Sequence, residues 1–351
     1  MPRFRSDLDA IKPYSAGRAT AEVATRLARL ASNEWPEEPF PEVVAAIEAA
    51  GRTVNRYPDN SVRELTNAMA TYLDVPEDHL MFGGGSNSLL LFTAMATGGP
   101  GTSAVYADPS FKLYYISTVS VGARPIEVPL DDDHRHDLDA MAAAIDDDTT
   151  IVYVCNPNNP TSTHVSGTDL RRFVDAVPRS VLIAIDEAYV EFATAADFES
   201  GLSLALERDN VVVYRTFSKF FGLAGLRLGC AIGRPETLGY IRRVALPFGA
   251  SSVAQSAAVA ALGASDRMAE RVQRNGSQRK AVLDELAALG IATADSQANF
   301  IWMQADAGTL GALEAAGVLT RDYGSGWLRV SIGNDTDNRQ FLDALAGYVG
   351  R

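Results

Sequence analysis

The chain has 351 residues, and 47% of them are hydrophobic, which is enough for one large domain with an appendage or for two domains. Its formal net charge of -13 argues against nucleic acid or an anionic membrane surface as the main partner. The N-terminal sequence MPRFRSDLDAIKP lacks the apolar core of a signal peptide, and no apolar run approaches membrane length, so the sequence predicts a cytoplasmic protein.

The N-terminal part of the chain is predicted to combine a polar arm with helices. The arm covers residues 1–34 and is followed by an irregular, proline-rich crossing. A helix is predicted over 41–50, and apolar residues at helical spacing predict a second helix that is capped by Asn60 or Ser61. Tyr57 stands just before this second helix and falls in a loop.

A glycine-rich turn follows. The sequence MFGGGSN over 81–87 predicts the end of a strand, a turn at Gly85, and an apolar helix whose first residues include Ser86 and Asn87. Backbone amides at a helix N-terminus lack intrahelical partners and can bind an anion. Glycine turns are common, so this segment becomes informative only together with the rest of the chain.

From residue 103 onward, continuous apolar runs alternate with predicted helices. This alternation is typical of a parallel sheet that is covered on both faces, so the polar residues that end the runs are expected at one edge of the sheet. Cys155 and Cys230 each lie inside an apolar run, which predicts reduced core residues. His134 and His136 are closely spaced in the charged segment DDDHRHD, but the histidines show no further ligand spacing, and no metal site is predicted.

The C-terminal third of the chain changes character. Predicted helices over 237–262 and 268–289 are followed by short strands within 291–304 and 327–333 and by a last helix over 337–348. Antiparallel strands with helices on one side predict a smaller α+β domain.

The strongest chemical signal is the segment NVVVYRTFSKFFGLAGLRLG over 210–229. A buried strand is predicted to end here and to place Lys219 at the edge where open α/β sheets bind ligands. Two hydroxyl residues, Thr216 and Ser218, stand beside this lysine, and Arg227 follows. Such a set suits a phosphorylated aldehyde, because the amine can bond to the aldehyde while hydroxyls and guanidinium hold the phosphate. The segment therefore predicts a site for pyridoxal phosphate.

Other strand ends supply groups for the rest of this cofactor. Asp186 can keep the pyridine nitrogen protonated, so that the ring draws electrons from the substrate. Asn159 and Tyr189 can hydrogen-bond the phenolic oxygen, and Phe111 can stack on the ring. Lys219 first bonds to the cofactor aldehyde, and once it is released from that bond its amine can carry the proton of the substrate's α carbon.

The motifs, in this order, resemble those of the fold-type-I pyridoxal-phosphate aminotransferases and, within them, the histidinol-phosphate aminotransferase group. The resemblance covers nearly the whole length. The motifs that carry it are KPYSAGR at 12–18, ASNEWP at 31–36, RYPD at 56–59, GGGSN at 83–87, DPSFKLY at 108–114, NPNNPT at 156–161, DEAYVEF at 186–192, RTFSKFFGLAGLRLG at 215–229 and LRVSIG at 328–333.

The resemblance implies a fold and an assembly. It implies an α/β fold in which a large cofactor-binding domain over 35–244 contains a mostly parallel seven-stranded sheet. An N-terminal arm over 1–34 and a small α+β domain over 245–351 complete the chain. It also implies a homodimer with shared active sites, in which Tyr57 reaches the cofactor phosphate of the other subunit.

The resemblance also implies a role for each matching side chain. Lys219 is the lysine that bonds to the cofactor, Asp186 is the partner of the ring nitrogen, and Asn159 and Tyr189 lie at the phenolic oxygen. The remaining cofactor-binding residues are Gly85, Ser86, Asn87, Phe111, Thr216, Ser218 and Arg227. The substrate-binding residues are Tyr14, Asn33, Trp35, Arg321 and Arg329.

Two departures from the family pattern concern the substrate. Trp35 replaces an asparagine and is expected to narrow the pocket, and Phe111 replaces a tyrosine, which keeps the stacking but loses a hydroxyl. The favoured function is transamination between histidinol phosphate and 2-oxoglutarate. The main alternative is transamination of an aromatic amino acid such as phenylalanine with a 2-oxo acid.

Two further functions are weighed. A pyridoxal-phosphate decarboxylase of a phosphorylated amino acid shares this scaffold, and the release of carbon dioxide would distinguish it. A non-catalytic binding protein would be expected to lose Lys219 or Asp186, and both are present.

Overall fold

The computed structural model describes residues 5–11 and 26–350. The strands in this part are β1 (Ala28–Arg29), β2 (Leu80–Gly83), β3 (Ser103–Asp108), β4 (Arg124–Pro129), β5 (Thr149–Cys155), β6 (Leu182–Asp186), β7 (Val211–Thr216), β8 (Gly229–Gly233), β9 (Phe300–Gln304), β10 (Val318–Leu319), β11 (Arg321–Asp322) and β12 (Trp327–Ser331). The α-helices are α1 (Pro41–Gly51), α2 (Arg63–Leu73), α3 (Ser86–Thr97), α4 (Leu113–Ser120), α5 (Leu138–Ala143), α6 (Gly167–Ala176), α7 (Leu202–Glu207), α8 (Pro235–Arg242), α9 (Ser252–Leu262), α10 (Ser265–Ala288), α11 (Thr309–Ala315) and α12 (Asp335–Val349).

The largest sheet has seven strands in the order β2-β8-β7-β6-β5-β3-β4. All neighbours pair in parallel except β8, which is antiparallel to both β2 and β7. The predicted mostly parallel seven-stranded sheet is therefore confirmed. Its central strands β5, β6 and β7 run side by side, so their carboxyl ends meet at one edge.

The sheet is covered on both faces because its central strands are apolar on both sides. One face packs against α1, α2, α5, α6, α7 and α9, and the other against α3, α4 and α8. Residues Val152, Ile183 and Val213 belong to the first layer, and Tyr153 and Tyr214 belong to the second. Cys155 and Cys230 are buried and unpaired with each other, as predicted.

A smaller α+β part is built mostly from the C-terminal residues. The sheet β11-β12-β9 is antiparallel and packs with α10, α11 and α12 in a separate apolar cluster. The short strand β1 pairs in parallel with β10 and so brings the segment after residue 26 to this part of the molecule. The division of the chain at 34/35 and 244/245 stays a prediction.

Two predicted helix boundaries differ from the structure. The predicted helical region over 237–262 is two helices, α8 and α9, with an irregular segment between them. Neither Asn60 nor Ser61 caps α2, because Val62 precedes that helix in a left-handed conformation with φ of 52°. The Asp59 carboxylate instead accepts from the backbone nitrogens of Ser61 and Arg63.

Within the described ranges, no helix is long and apolar enough to span a membrane.

Candidate active site

A cavity of about 360 Å³ opens where β5, β6 and β7 end. It brings together most of the residues that the sequence predicted for cofactor and substrate. The predicted residues that line it are Ser86, Asn87, Phe111, Asn159, Asp186, Tyr189, Thr216, Ser218, Lys219, Arg227, Arg321 and Arg329.

One end of the cavity is a cradle for an anion. Helix α3 begins here after Gly85, which has φ of 91°. Glycine has no side chain to cap the helix, so no capping side chain accepts hydrogen bonds from the first backbone amides of α3, and these amides can bind an anion. A Cβ on Gly85 would lie 2.8 Å from Nη2 of Arg227, and one on Gly229 would lie 2.3 Å from the backbone nitrogen of Ser86. Only glycine allows this close packing of β8, Arg227 and the start of α3.

Hydroxyl groups and a guanidinium complete the cradle. Nη1 of Arg227 donates to Oγ of Ser218 at 3.3 Å and to the Ala224 carbonyl at 2.8 Å. The Ser218 backbone nitrogen in turn donates to Oγ1 of Thr216 at 3.1 Å. Helix-terminal amides, two hydroxyls and one guanidinium form the donor set that a phosphate dianion requires.

Asp186 lies at the end of β6 and is almost completely buried. Its Oδ2 accepts a hydrogen bond from the Tyr114 hydroxyl at 2.9 Å, and its Oδ1 accepts one from the Ala188 backbone nitrogen at 3.2 Å. Burial raises the pKa of this carboxyl to about 6, and the Tyr114 hydrogen bond works against that rise. The carboxylate therefore stays ionised near neutral pH.

Lys219 follows β7 and is half-buried. Its Nζ donates to the Ser32 carbonyl at 2.9 Å and lies 5.9 Å from the centroid of the Tyr189 ring. Burial, followed by the positive charge of Arg329, lowers the pKa of this amine to about 7. A large fraction of Lys219 is therefore the neutral, nucleophilic amine at physiological pH.

The opposite wall of the cavity comes from the small sheet. Nη1 of Arg329, on β12, donates to Oδ1 of Asn159 at 2.6 Å and to the Tyr323 hydroxyl at 3.3 Å. Asn33 is completely buried, and its Nδ2 donates to the Tyr189 hydroxyl at 3.1 Å. Asn33 thus reaches the site through Tyr189 and does not line the cavity itself.

A buried group of charges supports the strand ends from behind. Arg215, on β7, pairs with Glu187 at 2.8 Å and with Glu191 at 3.3 Å, and all three side chains are at most 10% exposed. Oε1 of Glu187 also accepts from the Gly201 backbone nitrogen. The pairs join the chain just after β6 to β7, close in sequence to Asp186 and Lys219.

Two predicted site residues, Trp35 and Tyr57, do not line this cavity, and the structure does not describe a third. Trp35 borders a neighbouring cavity, stacks on Phe192 at 6.5 Å and lies against the Arg271 guanidinium, so its expected place in the substrate pocket stays a prediction. Tyr57 is 82% exposed and lines none of this cavity, and its action in another subunit stays a prediction. Tyr14 lies outside the described residues.

The sequence prediction missed several residues of the cavity. Ser32, Cys155 and Ala188 line the cavity, whereas Tyr114 lies outside its lining and donates a hydrogen bond to Asp186. The motif DPSFKLY contains Tyr114, but nothing in its position marks the hydroxyl as a partner of a residue on β6. Only the three-dimensional packing of α4 under the sheet reveals it.

The donor set fits pyridoxal phosphate. An amine with a lowered pKa, a buried carboxylate, and an anion cradle at the start of α3 share one cavity. These are the groups required for the aldehyde, the ring nitrogen and the phosphate.

Comparison with known proteins agrees with this fit. Residues 25–345 match the family model "Aminotransferase class I and II". An aromatic amino acid aminotransferase from Thermobifida fusca is 44% identical over 100% of this chain and 98% of its own, and one from Streptomyces coelicolor is 42% identical over 97% and 96%. Among solved structures, histidinol-phosphate aminotransferase from Sinorhizobium meliloti, in complex with pyridoxal-5'-phosphate, superposes with a TM-score of 0.92 and 26% identity over 100% of this chain and 98% of that one.

These comparisons correct the expected substrate. The sequence relatives above 40% identity carry the name aromatic amino acid aminotransferase, whereas the histidinol-phosphate enzyme is similar mainly in fold. The expectation of histidinol phosphate as the amino donor is therefore wrong. The cofactor expectation is confirmed, and the chain belongs to the class I and II aminotransferases, which use pyridoxal phosphate.

Proposed function

We propose that this chain is an aromatic amino acid aminotransferase, which passes the amino group of an aromatic amino acid to a 2-oxo acid. The observation that carries the proposal is that Lys219, with a pKa of about 7, shares one cavity with Asp186 and Arg329. The names of the relatives with 41–44% identity support the aromatic substrate.

Pyridoxal phosphate, when bound, supplies an aldehyde that bonds to amines and a ring that withdraws electrons from the substrate's α carbon. Asp186 provides the negative charge for the ring nitrogen, and Asn159 and Tyr189 provide hydrogen bonds for the phenolic oxygen. Phe111 would stack on the ring. Gly85, Ser86, Asn87, Thr216, Ser218 and Arg227 would hold the phosphate, together with Tyr57 from the other subunit of a homodimer.

The lysine and the two arginines act on the substrate. Nζ of Lys219, as a neutral amine, would accept the proton that leaves the α carbon of the amino donor in the first half-reaction, and in the second half-reaction it would supply a proton to the α carbon of the amino acid that forms. Arg329 binds the α-carboxylate through two parallel hydrogen bonds, and Arg321 adds a second positive charge at the same wall. Tyr14 and Asn33 also help to bind the substrate. Asn33 acts indirectly, through its hydrogen bond to the Tyr189 hydroxyl.

A half-reaction tests the substrate. The protein loaded with cofactor is mixed separately with phenylalanine, tyrosine, tryptophan and histidinol phosphate, and the absorbance change from the aldehyde form to the amine form is followed. We expect rapid conversion by the aromatic amino acids and little by histidinol phosphate. Conversion by histidinol phosphate alone would refute the proposal, and release of carbon dioxide in place of a 2-oxo acid would identify a decarboxylase.

A matched pair of lysine variants shows that the signal arises in this cavity. Lys219→Ala should abolish the conversion, whereas Lys280→Ala should leave it intact, because Lys280 is exposed on α10 and pairs with Asp284. Equal loss in both variants would exclude a specific role for Lys219.

A further inference from the structure

Tyr114 is the second residue of α4 and is completely buried, although it makes no part of the cavity wall. Its hydroxyl points at Asp186 and donates to Oδ2 at 2.9 Å. Together with the Ala188 amide on Oδ1, it gives each carboxylate oxygen one fixed donor. Two donors on two oxygens fix the plane of a carboxylate.

We propose that Tyr114 is a positioning residue of the cofactor site, whose hydroxyl holds Asp186 ionised and oriented toward the pyridine nitrogen. The proposal rests on the role proposed above for Asp186 but not on the identity of the amino donor.

The groups around Asp186 show why its carboxylate depends on a hydrogen bond from a neutral hydroxyl to stay ionised. The titratable groups that face its carboxyl are Tyr114, Cys155, Glu187, Tyr189, Tyr214 and Lys219. Lys219 is the one cation in this set, and at a pKa of about 7 it is only partly charged at neutral pH. Among the residues that the structure describes, Tyr114 provides the one side-chain hydrogen bond to Asp186, and it lowers a carboxyl pKa that burial raises.

The same turn of chain supplies two contacts to the cofactor site. The Tyr114 backbone nitrogen donates to the Phe111 carbonyl at 3.0 Å, and the two rings meet edge to face at 5.8 Å. Phe111 lines the cavity, whereas Tyr114 lies behind it and supports Asp186. Any shift of α4 would therefore move both the stacking ring and the donor to the carboxylate.

Tyr153 offers a matched control. Its ring stacks on that of Tyr114 at 4.8 Å with an interplanar angle of 14°, and it is equally buried. Its hydroxyl faces Thr118 but makes no hydrogen bond of normal geometry. Tyr153→Phe therefore removes a hydroxyl from the same aromatic layer without touching Asp186.

The first test measures the ionisation of Asp186 in the protein without cofactor. Carbon-13 NMR of protein labelled at the aspartate carboxyls follows its titration, with the resonance assigned by its loss in Asp186→Asn. Removing a hydrogen bond to a charged group changes its proton affinity about tenfold. We expect Tyr114→Phe to raise the midpoint by about one pH unit and Tyr153→Phe to leave it unchanged. An unchanged midpoint in Tyr114→Phe, or an equal shift in both variants, would overturn the proposal.

The second test asks whether Tyr114 acts through Asp186. Equilibrium binding of pyridoxal phosphate is compared for Tyr114→Phe in the unmodified protein and in the Asp186→Asn background. We expect a loss of about tenfold in affinity in the first and almost none in the second. A loss of equal size in both, or failure of Tyr114→Phe to fold where Tyr153→Phe folds, would mean that Tyr114 is only structural. Failure of the aromatic half-reaction with these results intact would refute the substrate and not this role.

Discussion

Nη1 of Arg329 donates to Oδ1 of Asn159 at 2.6 Å and thereby joins the small sheet to the loop that follows β5. Arg329 also donates to the Ala31 carbonyl and to the Tyr323 hydroxyl, while its buried Nε has no hydrogen-bond partner among the described residues. A buried guanidinium that is held on both terminal nitrogens loses little freedom when it binds a carboxylate. Arg329 is thus oriented before the substrate arrives.

We expect Arg329→Lys to lower kcat/KM for phenylalanine by about 10- to 100-fold, mainly through KM, because the ammonium keeps the charge but loses the two-point contact. Steady-state kinetics over a range of phenylalanine concentrations measure this effect. Arg279→Lys is the control, since this buried arginine donates to the carbonyls of Phe192 and Ala298 and does not line the cavity. An unchanged KM in Arg329→Lys would remove Arg329 from the substrate site.

The lowered pKa of Lys219 predicts how cofactor uptake depends on pH. Because the amine must be neutral to bond, uptake by the cofactor-free protein is expected to rise with pH and to level off above a midpoint near the amine pKa of about 7. The positive charge of Arg329 contributes to that low value, so Arg329→Gln should move the midpoint to higher pH. Stopped-flow absorbance measures the rate, and Arg279→Gln is the control. A midpoint near the ordinary lysine value of about 10 would contradict the buried environment.

The sequence predicted the sheet and the positions of Lys219, Asp186 and Asn159 because each of them follows a continuous apolar run. Parallel strands that start in register end at one edge, so local patterns sufficed to bring these residues together. Tyr114 was not predicted, because its contact with Asp186 depends on how α4 packs under the sheet, and helical periodicity cannot show which buried hydroxyl meets which carboxylate.

Two expectations about the substrate depend on details that sequence patterns do not contain. The position of Trp35 two residues after Asn33 does not reveal that its indole lies against Phe192 and the Arg271 guanidinium, so its role in the substrate pocket stays a prediction. The substrate could not be predicted from the cations, because Arg321 and Arg329 suit a phosphate as well as a carboxylate.

The raised pKa of Asp186 predicts a gain in stability when its charge is removed. Between the unfolded value of about 4 and the folded value of about 6, the folded state binds more protons, so stability is lost as pH rises through this window. We therefore expect Asp186→Asn to stabilise the cofactor-free protein at about pH 8 by about 1–3 kcal/mol, and by much less at about pH 4. Urea unfolding at the two pH values measures both effects.

Asp306→Asn serves as a control of opposite sign. Hydrogen bonds from Tyr348 and Thr309 lower the pKa of Asp306, so this carboxylate contributes stability above the unfolded pKa. Its replacement should reduce stability at about pH 8. If Asp186→Asn also lost stability at about pH 8, the ionised Asp186 carboxylate would not lower the free energy of unfolding of the cofactor-free protein, and the prediction would be wrong.

The exposure of Tyr57 leads to a test of the shared active site. Its ring is 82% exposed and stacks at 4.7 Å on Phe248, which is itself 42% exposed beside the exposed Leu246. An aromatic and aliphatic patch of this kind is typical of a surface that another subunit covers. If Tyr57 serves the cofactor phosphate of the other subunit, a dimer of Tyr57→Ala with Lys219→Ala chains contains one complete site.

We expect each of these variants to be inactive or nearly so alone and the mixture to regain activity after the subunits are exchanged in mild denaturant, as measured by the phenylalanine half-reaction. Asp186→Ala mixed with Lys219→Ala is the control, because both residues line one cavity of the same chain and no exchange can rebuild a complete site. Mass spectrometry of differently tagged chains verifies that mixed dimers have formed. Recovery in neither mixture would show that Tyr57 does not act across the interface, and recovery in both would show that the assay detects something other than a shared site.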